Sequence, residues 1–387
     1  MFSRGKVIFA VILLSCLSFV RRCFIMKKIK IRPDLFLCGV ASQPYSLARG
    51  IALLQAVREK GNLRAACGTL DISYRTGWAA LAEMEQMLGG AVVEMSRGRG
   101  TELTELGQRL VWAEKLIHAR LDPLLESMAI EVDAEIQSVL ARATDHLKIF
   151  ASHDFAMALL GAQLQAQGIP LDLSYRGSLE AVGAMGRGMC DLAGFHIPTG
   201  ALERAALKQF ENLLQPSHVV VSLATRRQGL IVKRGNPKGI WSIADLAKPE
   251  VLFVNRQPGS GTRIILDLML AQEGLDGRNI NGFERVELTH AAIGAYVASG
   301  KADVGLGVET AARQFDLDFV PVISERYFLL CERRKLADAR FKPIHDYLKT
   351  SEFRTEVSRL AGYDSATTGA VLTLAEAFPS LRLDKAD

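Results

Sequence analysis

Four short segments carry side chains that could hold a ligand, and all share one form: an apolar run, small polar residues, then a helix start. Ser152-His153-Asp154 follows the run at 147–151, and Arg176-Gly177-Ser178 follows the run at 171–175. Asn255 to Arg263 reads NRQPGSGTR, and Thr289-His290-Ala291-Ala292 leads into 293–299. A helix N-terminus offers unpaired N–H groups and the positive end of its dipole. Hydroxyls add donors, and glycine lets the backbone approach an anion. Such loops bind an oxyanion or a carboxylate without a metal. Ser or Thr before a helix also serves simply as a cap. The loop Gly259-Ser260-Gly261-Thr262-Arg263 is therefore the strongest of the four, because it joins glycines, hydroxyls and a cation. The candidate ligand contacts are Ser152, His153, Gly177, Ser178, Gly259, Ser260, Gly261, Thr262, Arg263, Thr289 and His290. A lone histidine near a strand end is more often core than ligand. Of His196 and His290, the second is the better candidate, since it adjoins a helix start.

Other chemistries lack their residues. There is no convincing nucleophile with its base, no carboxylate pair, no GxxxxGK[ST] loop and no metal cluster. Gly259-Ser260-Gly261 does not make the G-x-S-x-G elbow. The expectation is a binding protein without a cofactor, not an enzyme. Cys16, Cys23, Cys38, Cys67, Cys190 and Cys331 are scattered without a CxxC pair, and read as reduced thiols in the cytoplasm.

The elements that must position these loops begin at Leu147. Short apolar strands alternate with helices: Leu147–Ala151, Leu171–Tyr175, Leu192–Ile197, His218–Ala224, Gly229–Val232, Val251–Asn255, Val286–Leu288, Val304–Val308 and Phe319–Ile323. This alternation predicts an α/β architecture with mostly parallel sheets, in two lobes with a cleft between them. Asp303 to Gly307 reads as a structural turn and strand. Glu325 and Tyr327 are placed at a hinge or the cleft rim, and 342–360 packs as a terminal helix.

Upstream the pattern is helical. Leu63 to Leu70 and a second helix after Ser73 flank a turn at Asp71-Ile72, with Ser73 as N-cap. On the second helix Tyr74, Gly77, Trp78, Leu81, Met84 and Leu88 form the expected apolar back. Ser73, Arg75, Thr76, Ala79 and Glu83 form the front. An apolar back with a short polar, cationic front suits a major-groove reader; a surface helical hairpin is the alternative. Ala91–Met95 and Thr101–Leu103 then read as a hairpin wing with Arg97 and Arg99 at its tip, placed for phosphate or minor-groove contact. The candidate DNA contacts are Ser73, Tyr74, Arg75, Thr76, Ala79, Arg97 and Arg99. From Thr104 the chain stays helical to about Leu140, with a seam of Leu110, Ile117, Leu121, Leu124 and Met128 that favours a dimerisation helix over a plain core helix. Pro123 caps, restarts or kinks it. A net charge of +5 permits nucleic-acid binding without establishing it.

Arg4 and Lys6 precede an apolar run from Val7 to Val20 that is shorter than a spanning helix usually needs. It resembles a signal-peptide core without a cleavage site. The expectation is that translation starts at Met26 and that residues 1–25 are a non-native extension. The alternative is a membrane-tethered protein.

Two resemblances follow from these residues. Gly61-Asn62-Leu63, Ala65-Ala66, Ile72-Ser73-Tyr74, Trp78, Glu83-Met84 and Leu103-Thr104-Glu105-Leu106-Gly107-Gln108-Arg109-Leu110 resemble the winged helix-turn-helix of molybdate-responsive ModE-type regulators and, more distantly, of LysR-type regulators. Residues 147 to about 350 resemble the periplasmic-binding-protein-like domain of cytoplasmic regulators and of molybdate- and tungstate-binding proteins. Asn255 to Arg263, Thr289 to Ala292, Ala298 to Gly307, Asp191 to His196 and Glu325-Arg326-Tyr327 carry that likeness. ModE-type regulators usually end in small molybdate-binding β-domains, which this sequence lacks. The resemblance implies a cytoplasmic homodimer that binds double-stranded DNA and senses a small anion, with molybdate or tungstate the leading effector and a small organic acid the alternative. The expected domains are 26–110 for the winged reader, 111–145 for the helical linker and 146–387 for the two-lobed α/β sensor.

Overall fold

The structure is a computed structural model that describes residues 29–38, 43–96, 100–139, 146–169 and 171–381. The apolar run before Met26 and the wing-tip residues Arg97 and Arg99 lie outside the described residues.

The N-terminal domain holds three helices, Ala48–Lys60, Leu63–Thr69 and Tyr74–Leu88, followed by a hairpin of Val93–Ser96 and Gly100–Leu103. Each boundary has a local cause. Gly61 closes the first helix in the left-handed region. Asn62 caps the second by accepting from Ala65 N at 2.7 Å. Ser73 caps the third by accepting from Thr76 N at 3.1 Å. Ile51, Leu54, Val57, Leu63, Leu81 and Met84 meet in one core. Thr101 N donates to Gly61 O at 3.0 Å, which ties the wing to the turn after the first helix.

A helix of 35 residues, Glu105–Val139, leads out of this domain. Proline inside a helix removes one N–H and orphans the carbonyl four residues back. Here Pro123 orphans the carbonyl of Ala119, and the helix continues through it. The far domain supplies the missing donor: Thr289 Oγ1 donates to Ala119 O at 2.7 Å. Arg120 pairs beside it with Glu287, its Nε 3.0 Å from Oε2. Two turns on, Ser127 Oγ accepts from Tyr175 N at 3.0 Å, and Arg176 pairs with Glu131 at 3.1 Å.

The rest of the described chain forms a ten-stranded sheet. Leu147–Ala151 lies between Leu171–Tyr175 and Leu192–Pro198, all parallel. Phe253–Arg256 lies between Val286–Glu287 and Val304–Val308, also parallel. Two strands of 15 residues, His218–Val232 and Asp318–Glu332, run antiparallel between these triads and join them. The result is two lobes, each with its own core, connected by a pair of crossing strands. The lobes and the parallel triads match the sequence expectation; the joining strands do not. The expected strands His218–Ala224 and Gly229–Val232 are one, and Phe319–Ile323 extends to Glu332. The sheet is therefore mixed, not mostly parallel. Hydropathy breaks at Thr225-Arg226-Arg227-Gln228, yet Arg226 and Gln228 are fully buried because the chain crosses between the lobes there among buried partners of opposite character. Among the described residues no helix is long and apolar enough to cross a membrane.

Candidate functional site

The strand ends of both lobes turn towards one another at the crossing. A Cβ placed on Gly177 would lie 3.0 Å from Gly259 O, so the loops from the two lobes touch, and a side chain there would press on the Gly259 carbonyl. Ser178 Oγ lies 3.4 Å from Ser152 Oγ, and Ser152 Oγ lies 2.9 Å from His196 Nδ1. Gly261 begins its helix against His196, where a Cβ would meet the histidine Cβ at 3.2 Å. The helix starts at Ser178 and Gly261 thus meet beside His196, and the helix start at His290 lies within electrostatic reach of His196 and Arg256.

Beneath them lies a buried charge network. Arg226 donates to Asp154 and, at 2.5 Å, to Glu325 Oε1. Tyr363 donates to Asp154 Oδ2 at 2.5 Å. Gln228 Nε2 donates to Glu325 Oε1 and to Thr262 Oγ1, each at 2.8 Å. Burial acts against the Arg226 charge, but Glu325 and Asp154 outweigh it and raise its pKa. Arg256 has no such partners. Its Nε donates to Gln257 and its Nη2 to Leu288 O at 2.9 Å, while Nη1 is buried without a partner. Burial, then the neighbouring Arg226, pushes its pKa down to about 9, so the group still carries its charge at neutral pH. The histidines feel the same cations. His153 is pushed down to about 4 by burial, then by Arg256. His196 and His290 also fall well below the ordinary histidine value through burial first. All three are neutral at pH 7, and each keeps one ring nitrogen unpartnered: His153 Nδ1, His196 Nε2 and His290 Nδ1.

Of the residues expected from sequence, Ser152, His153, Gly177, Ser178, Gly259, Ser260, Gly261, Thr262 and His290 gather here. Two do not serve as expected. Arg263 turns away: its Nε bonds Asp267 at 2.8 Å and its guanidinium covers the Phe283 ring at 4.2 Å. At the fourth residue after Pro258-Gly259 it already lies on the outer side of its helix. Thr289 caps its own helix and spends its hydroxyl proton on Ala119 O. Ser260 likewise acts as a cap, accepting from Arg263 N. The cation of the cleft is Arg256, five residues before the glycine-rich turn's Gly261. It ends a strand outside the turn, so the turn pattern does not point to it. Arg226, Gln228 and Asp154 carry no local signal either, since the crossing strand and a helix cap meet only in the fold. The pairing of Glu325 with Arg226 and of Tyr327 OH with Ser152 O at 2.9 Å places both on a strand that joins the lobes, the hinge of the two expected positions and not the rim.

On the reader, Ser73, Arg75, Thr76 and Ala79 are exposed or nearly so at the front of the third helix. The expected apolar back needs correction. Gly77, Ala80, Leu81 and Met84 are buried, but Tyr74 and Trp78 are 41% and 43% exposed. At 100° per residue they stand on the flank of that arc, leaning towards the front. Arg64 covers the Tyr74 ring at 5.3 Å.

Residues 48–108 match the family model described as bacterial regulatory helix-turn-helix protein, lysR family. Residues 161–349 match the PBP superfamily domain. The uncharacterized protein YvgK of Bacillus subtilis (strain 168) is 30% identical over 229 residues, 58% of this chain and 73% of that one. An uncharacterized protein from the 5′ region of a ferredoxin 2Fe-2S gene of Clostridium pasteurianum is 33% identical over 111 residues, 28% of this chain and 98% of that one. The molybdenum-pterin-binding protein MopB of Rhodobacter capsulatus is 30% identical over 97 residues, 24% of this chain and 36% of that one.

Proposed function

We propose a function from the premise that the chain belongs to the family of the Bacillus subtilis protein YvgK, with a lysR-family helix-turn-helix and a PBP-superfamily domain in one polypeptide. It is a ligand-responsive DNA-binding regulator. In our reading it works in the cytoplasm as a homodimer, reads double-stranded DNA with the helix Tyr74–Leu88 and its wing, and senses a small anion in the cleft. Turnover is not part of this function.

The observation that carries the anion reading is the buried guanidinium of Arg256, whose Nη1 has no partner and whose charge is felt by His196 and by His290 at a helix start. A buried guanidinium nitrogen without an acceptor is costly. An anion in the cleft removes that cost and meets the helix dipoles favourably. The likeness to MopB brings molybdate into the first screen, with tungstate as its chemical analogue. Dimerisation is supported by the linker helix, whose Leu121, Leu124, Met128, Val132 and Ile136 form an exposed stripe spaced by three or four residues.

The test is a thermal-shift screen of the full chain against molybdate, tungstate, phosphate, sulfate and small organic acids. A ligand bound only by the folded state stabilises it by about 2.7 kcal/mol at a hundredfold excess over Kd. A shift with at least one anion that Arg256→Met abolishes supports the reading. Shifts with none of them remove it, and turnover of a bound compound would make the domain an enzyme.

A further inference from the structure

The unpartnered atoms of the cleft are of two kinds. Arg256 Nη1 is a donor and calls for an acceptor. Glu325 Oε2 and Gln228 Oε1 are acceptors, and they too lack partners, on residues that are wholly buried. The other oxygen of Glu325 is already taken by Arg226 and Gln228, and the amide nitrogen of Gln228 by Glu325 and Thr262. An anion with oxygens alone satisfies Arg256 but leaves both acceptors bare and brings negative charge towards a carboxylate. Leaving a buried acceptor unmet, above all a charged one, is what a fold or a complex can least tolerate.

The charge balance points the same way. Arg226 bonds both Asp154 and Glu325, and Arg256 lies within electrostatic reach of Glu325, so two cations and two carboxylates balance before a ligand arrives. Three helix N-termini add at most about half a positive charge each. That suits one negative charge better than two.

We propose that the cleft selects a small monoanion or zwitterion that carries its own hydrogen-bond donor, with Arg256 and the helix starts on its oxyanion end and Glu325 and Gln228 on its donor. A hydroxy acid, an amino acid and dihydrogen phosphate share this chemistry; sulfate, molybdate and tungstate at neutral pH do not. The inference rests on the anion-binding reading of the cleft and narrows it.

The experiment is calorimetric titration of the full chain at pH 7 with ligand pairs that differ in the donor: lactate against propionate, alanine against propionate, and phosphate against sulfate, with molybdate and tungstate alongside. A hydrogen bond to a charged acceptor predicts tighter binding of the donor-bearing partner in at least one pair, on the order of tenfold or more. Which pair responds tells organic acid from phosphate. In Glu325→Gln, which keeps shape and can itself donate, the preference shrinks or reverses, and the ligand-free melting curve checks that the variant is folded. Should that variant not fold, the wild-type pairs decide alone. Equal binding within every pair, or binding of sulfate, molybdate or tungstate in preference to the donor-bearing ligands, overturns the inference and leaves the anion reading standing. Binding of no member of the panel overturns both.

Discussion

Two buried arginines lie side by side in the cleft, and their surroundings give them opposite effects on stability. Arg226 sits between Asp154 and Glu325, all three essentially without exposure. In Arg226→Met the two carboxylates remain buried without the cation that bonds them both. Removing one member of a buried ion network costs about 3–5 kcal/mol. Arg256 has only Gln257 and Leu288 O as partners, and its pKa is pushed down to about 9 by burial and by Arg226. A base whose pKa is lowered by folding is held in its charged form at the expense of the fold, and relief comes only as pH rises through about 9. At about 1.4 kcal/mol for each pH unit, the charge costs a few kcal/mol at pH 7. Arg256→Met relieves that cost and loses two hydrogen bonds of about 0.5–1.5 kcal/mol each. It should be neutral or stabilising by about 1–2 kcal/mol while abolishing anion binding. Urea unfolding at pH 7.5 in an anion-poor buffer, followed by far-UV circular dichroism, compares the two variants. If Arg256→Met destabilises as much as Arg226→Met, the protein already satisfies the guanidinium fully and the argument for an anion falls.

Arg75→Ala should weaken binding to selected duplex DNA and lower the salt dependence by about one unit, with unchanged thermal stability. Trp78→Ala should also leave stability nearly unchanged, because the ring is exposed, whereas Leu81→Ala should cost about 2–5 kcal/mol in the same melt. Leu124→Glu with Met128→Glu should convert a dimer to a monomer by light scattering, and a monomeric wild type would refute the stripe as an interface. The neutral histidines set an acid limit. Their pKa values are lowered by folding, so their contribution is complete above the ordinary histidine value and is lost as pH falls from about 6.5 towards the His153 value of about 4. Ligand-free stability should drop across that window, and His153→Gln should flatten the drop.

What was legible in the sequence is what is local. Caps, left-handed glycines and strand ends act within four residues, so the loops at Ser152, Gly177, Gly259 and His290 could be named together without knowing how they meet. The direction of a side chain could not. Arg263 and Arg256 both flank the glycine-rich turn, and only the course of the helix decides that one leaves the cleft and the other stays. The floor of the cleft was hidden for a different reason. Arg226 and Glu325 are 99 positions apart, and charge in the middle of an apolar strand looks like a break until its partner is paired across from it. Trp78 was misplaced because an apolar residue at helical spacing is assumed to face the core, although a helix with glycine and alanine at its contact surface buries a narrow arc.

Pro123 has one more consequence. Alanine in its place would return the N–H that Ala119 lacks, and by intrinsic preference would strengthen the helix by roughly 3 kcal/mol. The restored bond would compete with Thr289 for the same carbonyl and loosen the helix from the lobe beyond it. The defect in the helix is therefore also its point of attachment to that lobe. A sequence with a firmer rod at this position would gain helix stability and hold the lobe less tightly.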